Sequence, residues 1–169
     1  VTGSIADHGL AVMLAREMPE VQSALRSDVA PLNRMIRGLL DRAGGGVVFM
    51  RDPTRGGLAA VVTDIAARSG LHVVLEEEKI PIRPETRHAA DMLGLDPLEV
   101  ANEGKVVIVV RPDAAETALA AVKDDPHGQH ASIIGRIEGT RDGICELQTV
   151  IGGRRILQKP YGEQLPRIC

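Results

Sequence analysis

Val47-Val48-Phe49-Met50-Arg51-Asp52-Pro53-Thr54-Arg55-Gly56-Gly57-Leu58 is the stretch whose reading decides the fold. Its four apolar residues predict a short buried strand, and the Pro-Thr-Arg-Gly-Gly loop ends it. Leu58, Val61, Val62, Ile65 and Ala66 then recur at helical spacing as far as Ser69-Gly70, and a second apolar strand is expected at 71–75.

Working toward the start of the chain, Leu32, Met35, Ile36, Leu39 and Leu40 form an unbroken helical stripe that Gly44-Gly45-Gly46 stops. Asp7 is predicted to cap an earlier helix carrying Leu10, Met13, Leu14 and Met18. Val1 to Ile5 reads as the end of a strand, and the absence of an initiator Met points to a piece of a longer chain.

Toward the other end, Pro81 and Pro84 bracket a turn before a helix over 85–93 with Gly94 as its stop. Residues 105–110 predict a strand buried on both faces, because the apolar run Val106-Val107-Ile108-Val109-Val110 is uninterrupted. An alanine-rich helix opens at Asp113 and ends before Pro126. Three strands follow at 131–137, 144–149 and 154–157, with Asp142-Gly143 expected to turn the first into the second as a hairpin. Helices alternating with strands early, then a run of strands, predict an α+β domain: a mixed β-sheet covered by α-helices.

The composition agrees with one globular domain. The chain has 169 residues, 44% hydrophobic and 25% charged, with a net charge of −3. One Phe, one Tyr and no Trp leave no platform for stacking bases, and the mixed charges give no basic face for nucleic acid. No apolar run approaches the ~20 residues of a membrane span. Two cysteines make no disulfide framework, so a cytoplasmic protein with reduced thiols is expected. Cys145 alternates with Leu147 in a strand and reads as core.

Three places carry chemistry. In the loop from Arg51 to Gly57, Gly56 and Gly57 expose backbone N–H groups at a helix start, where the dipole favours an anion. Thr54 adds a hydroxyl, Arg51 and Arg55 add charge, and Asp52 can hold a metal or orient an arginine. A helix start with glycines for close packing is the other reading. Ala101-Asn102-Glu103-Gly104-Lys105 puts a carboxylate at a strand entrance, where it can act as a base or pair with Lys105 at the surface. The chain ends Pro160-Tyr161-Gly162-Glu163-Gln164-Leu165-Pro166-Arg167-Ile168-Cys169, which is either a frayed terminus or a hinged arm carrying a reactive thiol. The five histidines form no metal site on paper, and only His8, beside Asp7, is singled out as a helix-entry or site residue.

Taken together, Ser4-Ile5-Ala6-Asp7-His8-Gly9, the loop from Arg51 to Gly57, Ala101-Asn102-Glu103-Gly104-Lys105 and the Pro-Arg-Ile-Cys ending closely resemble the HypE family of [NiFe]-hydrogenase maturation factors. That family belongs with the PurM-like proteins, the aminoimidazole ribonucleotide synthetases and selenophosphate synthetases. The resemblance implies a PurM-like C-terminal domain over 1–159, a mobile tail over 160–169 ending in the reactive Cys169, and an N-terminal ATP-binding domain missing from this chain. It further implies that HypF carbamoylates Cys169, that ATP with Mg2+ drives dehydration to a thiocyanate, and that the HypC–HypD complex accepts the cyanide. Glu103 would be the base. Asp52, Thr54, Arg55, Gly56 and Gly57 would contact the phosphates or the tail, and Asp7 and His8 would line the cleft. The full-length protein would be a homodimer. The fragment alone would bind no ATP and turn none over, leaving a carrier and docking module as the alternative. A related PurM-like synthetase is the third reading, against which the terminal cysteine argues.

Overall fold

The computed structural model describes residues 1–160. Five α-helices, α1 (Asp7–Glu17), α2 (Asn33–Ala43), α3 (Gly57–Ser69), α4 (Pro84–Leu93) and α5 (Ala115–Lys123), accompany six strands. The strands are β1 (Val47–Arg51), β2 (His72–Glu76), β3 (Val107–Val110), β4 (Gly135–Glu138), β5 (Cys145–Gln148) and β6 (Arg154–Leu157). The predicted α+β class is therefore observed, but the strands divide into two sheets.

The larger sheet has the order β4-β2-β5-β6 and is mixed, β2 running parallel to β5 and the other pairs antiparallel. The smaller is the antiparallel pair β1-β3, with a bulge between Val47 and Phe49. The expected hairpin between the strands now labelled β4 and β5 does not form, because β2 lies between them. Val73, Val74 and Leu75 are all buried, which suits β2 to the centre, whereas Arg136 and Glu138 suit β4 to an edge. Asp142-Gly143 instead anchors to the start of β2: Asp142 pairs with His72 Nδ1 at 2.8 Å and Gly143 N–H donates to the Gly70 carbonyl at 3.2 Å.

The strand pair β1-β3 is less enclosed than its apolar runs suggest. Val48 is 66% exposed and Phe49 39%, since helices α2 and α5 cover only one face of the pair. Residues 1–5 form no strand ladder, but they are tied in as extended backbone. Thr2 N–H donates to the Val106 carbonyl at 3.1 Å, and Ile5 N–H donates to that of Pro81 at 3.0 Å.

Three apolar clusters follow from the helical stripes. Helix α3 lays Leu58, Val61, Val62 and Ala66 on Val73, Leu75, Cys145, Leu147 and Leu157 of the larger sheet. Helix α1 packs Leu10 and Leu14 against Ala89 and Ala90 of α4, and α2 packs Met35 and Leu39 against Ala118, Ala121 and Val122 of α5. Each fully buried Leu or Val stabilises the fold by about 1.5–3 kcal/mol relative to exposure. Cys145 is held here as core, and burial pushes its thiol pKa up to about 12, which makes it inert.

Candidate functional site

Asn102 is fully buried and binds three separate segments of chain. Its Oδ1 accepts from Ala6 N–H at 2.7 Å, and its Nδ2 donates to the carbonyls of Val100 at 2.9 Å and Pro53 at 3.3 Å. The Asn102 backbone N–H also reaches the Pro53 carbonyl, at 3.1 Å. One side chain thus joins the entry of α1, the Arg51-to-Gly57 loop and the segment that carries Glu103.

Glycines permit this crossing. A Cβ on Gly57 would lie 2.5 Å from the Leu98 carbonyl oxygen and 2.6 Å from that of Val100, and Gly57 has φ +61°. A Cβ on Gly9 would meet Val100 Cγ1 at 2.4 Å, and Gly9 N–H donates to the Ala101 carbonyl at 3.1 Å. Ala6 holds a left-handed φ of +70° just ahead of α1, a strained conformation that its bond to Asn102 supports.

The side chains around the crossing have distinct tasks. Ala6, not Asp7, occupies the cap position of α1, and no side chain caps that end. Asp7 is instead wholly buried toward α4, accepting from Ser4 Oγ at 3.3 Å and Thr86 Oγ1 at 2.5 Å, with Arg83 Nε 3.4 Å from its other oxygen. His8 is 9% exposed, with Nδ1 2.8 Å from Ser27 Oγ and Nε2 buried without a hydrogen-bond partner among the described residues. Glu103 is half-buried, and its Oε1 is likewise buried and unpartnered among the described residues.

Lys105 does not make the surface pair expected of it. Its Nζ lies 2.7 Å from Asp28 Oδ2, with both side chains less than 10% exposed. The Asp28 backbone also presses on Gly104, where a Cβ would lie 1.8 Å from the Asp28 carbonyl oxygen. Asp28 and Ser27 escaped the sequence reading because they sit in the coil between α1 and α2, with no periodicity to mark them. Asn102 stood inside a noted motif, but its identity alone does not distinguish a turn residue from a clamp.

In the glycine loop, Asp52 is exposed and accepts from Thr54 Oγ1 at 2.8 Å. Among the described residues no arginine pairs with Asp52: Arg51 turns to Asp64 on α3, 2.8 Å away, while Arg55 is exposed. The chain returns here after β6. Lys159 Nζ reaches Asp64 Oδ1 at 2.9 Å, and a Cβ on Gly56 would be 3.6 Å from Pro160 Cγ. A cavity of about 270 Å³ opens beside this approach, lined by Ala59, Asp96, Glu99, Arg155, Lys159 and Pro160 among others. Cys169 and the rest of 161–169 lie outside the described residues. No group of three or more His, Cys, Asp or Glu among the described residues is arranged to hold a metal, and no helix among them is long and apolar enough to cross a membrane.

This fold, with its glycine-loop helix start, belongs to a known class: residues 1–148 match the family model for AIR synthase related protein, C-terminal domain, and the chain is a member of that family. Within that class, it is similar over its whole length to the hydrogenase maturation protein HypE. It is 44% identical over 169 residues to the carbamoyl dehydratase HypE of Rhizobium leguminosarum bv. viciae, covering all of this chain and 48% of that protein. A crystal structure of HypE in complex with ATP matches with a TM-score of 0.91 at 39% identity, over 99% of this chain and 51% of that one. The structure of a HypE–HypF complex matches with a TM-score of 0.87 at 42% identity, over 94% and 51%. The chain spans about half the length of the curated relatives it matches.

Proposed function

We propose that this chain is the thiol-bearing part of a HypE-type carbamoyl dehydratase, with Glu103 as a base and Cys169 as the carrier. The observation that carries the reading is the Glu103 carboxylate, whose Oε1 is buried and unpartnered among the described residues, beside the clamp that also holds the glycine loop. A carboxylate oxygen shut from water with no donor is poised to accept a proton from a substrate.

In this reading HypF loads a carbamoyl group on Cys169. The amide oxygen of the thiocarbamate attacks the γ-phosphorus of ATP, ADP leaves, and the nitrogen gives up one proton. The C–O bond then breaks, phosphate departs with its oxygen, and the nitrogen gives up its second proton, leaving S–C≡N. The HypC–HypD complex takes the cyanide for iron. ATP and its Mg2+ belong to the part of the full-length protein outside this chain, which is also where a homodimer would be made. Asp52, Thr54, Arg55, Gly56 and Gly57 meet the phosphates or the arriving tail, and the approach of Pro160 to Gly56 supports the second of these. Residues 1–159 act as the domain and 160–169 as the swinging arm, in the cytoplasm. The half-length coverage favours a second description of the chain by itself, a carrier and docking module that is loaded but does not turn over.

Intact mass after incubation with HypF, carbamoyl phosphate and ATP tests both. The isolated chain is expected to gain a carbamoyl-sized mass on the peptide containing Cys169 and to keep its water. Loss of water in the isolated chain would overturn the division of labour. In the full-length protein Cys169→Ala blocks loading, and Glu103→Gln permits loading but blocks thiocyanate formation. Normal thiocyanate formation by the second variant removes Glu103 as the base.

A further inference from the structure

We propose that His8 is a second proton acceptor, serving with Glu103 at the Asn102 crossing; this rests on the dehydratase reading above. That reaction strips two protons from one nitrogen in two steps, and a single carboxylate accepts only one of them per turnover without release to water. The neighbouring segment offers a second acceptor. The segments that carry His8 and Glu103 are joined to each other and to the same stretch of coil. Asn102, which precedes Glu103, binds Ala6, and Ala101 binds Gly9, so the His8 segment runs directly along the Glu103 segment. On the other side the coil residues Ser27 and Asp28 touch both segments: Ser27 Oγ holds His8 Nδ1 at 2.8 Å, while Asp28 packs on Gly104 and pairs with Lys105 at 2.7 Å.

Among the described residues, His8 Nε2 and Glu103 Oε1 are buried without hydrogen-bond partners on two of the four segments that meet here, and Asp28 Oδ1 is a third such atom. Buried polar groups are rarely left without partners, and such an exception calls for a reason. In the tautomer whose Nδ1–H donates to Ser27 Oγ, Nε2 presents its lone pair, ready to take a proton. Val29 N–H, 3.3 Å from the same hydroxyl, fixes Ser27 in turn. In the balanced scheme one N–H proton passes to Glu103 and the other to His8 Nε2, while the electron pair of the second N–H bond completes the C≡N bond and the C–O pair leaves with phosphate.

The test uses the full-length protein, loaded with HypF, carbamoyl phosphate and ATP and followed by intact mass. His8→Ala is expected to load at Cys169 normally and to dehydrate about 100-fold more slowly, with imidazole added to the buffer restoring much of the rate. Rescue by imidazole is not expected of a residue that only supports the fold. Ser27→Ala keeps the ring but frees its orientation, and is expected to slow dehydration about 10-fold with an unchanged melting temperature. If His8→Ala does not fold, Ser27→Ala decides. Unchanged dehydration in Ser27→Ala, or a slow His8→Ala that imidazole does not restore, overturns the role of His8. If Glu103→Gln is blocked while both of these variants are normal, the dehydratase reading stands and this inference falls. If Glu103→Gln is itself normal, the reading fails first.

Discussion

Lys159 Nζ donates to Asp64 Oδ1 at 2.9 Å and so ties the segment after β6 to the helix that begins at the Gly56-Gly57 turn. Arg51 holds the other Asp64 oxygen at 2.8 Å. One carboxylate on α3 therefore fixes both the approach to the glycine loop from β1 and the place where the chain enters its last residues.

Asp64→Asn is expected to leave the melting temperature nearly unchanged, since Lys159 is 63% exposed and such pairs contribute at most about 1 kcal/mol. Its effect is local. Amide exchange at 157–159 should quicken while the core of the larger sheet is unaffected. The hydrogen bond from Lys159, then that from Arg51, holds the Asp64 pKa below its ordinary 3.8. The tether is accordingly complete above 3.8 and is lost as pH falls through the lowered value, so the protection of amides 157–159 relative to their intrinsic exchange rates falls in acid. Exchange that does not change with the substitution would show that the tether is idle.

Gly57→Ala tests the close crossing. The substitution faces a left-handed φ of +61° and carbonyl oxygens at 2.5 and 2.6 Å, both backbone atoms that cannot swing away. A loss of ~3 kcal/mol or more is expected, or about 10 °C in a chain of this size. A melting temperature within 2 °C of the parent would contradict the packing described.

Asp28→Ala strands the Lys105 ammonium, since both members of that pair are buried. Removing one member of a buried ion pair costs about 3–5 kcal/mol. Lys105→Met added to Asp28→Ala should recover a large part of this loss, because the uncompensated charge is then gone. Equal melting temperatures for the single and double variants would remove the pair as a structural element.

The helices were legible because their signal is local. The stripes Met35–Leu39 and Leu58–Val61–Val62 place one face of each helix in the core wherever its partner lies, and Gly94 and Gly70 end α4 and α3 in left-handed geometry. The strands were legible as segments but not as neighbours. The turn signal Asp142-Gly143 is real, yet it serves the start of β2, because the fully buried run Val73-Val74-Leu75 takes the centre of the sheet and separates β4 from β5. Pairing is a contest among strands far apart in sequence, and a local turn does not decide it.

For the candidate site, the residue types and their order along the chain were written in the sequence: the glycine loop, the Asn-Glu-Gly triplet, His8 and the terminal cysteine. Tertiary structure alone decided what they do to one another. It made Asn102 a clamp between Ala6 and Pro53, turned Asp7 away toward Thr86, set Lys105 against Asp28, and left Glu103 Oε1 and His8 Nε2 without partners among the described residues. A side chain's periodicity is set by its own neighbours in sequence. Its burial and its hydrogen-bond partners are set by segments some 20 to 100 positions away, which only the folded chain brings within reach.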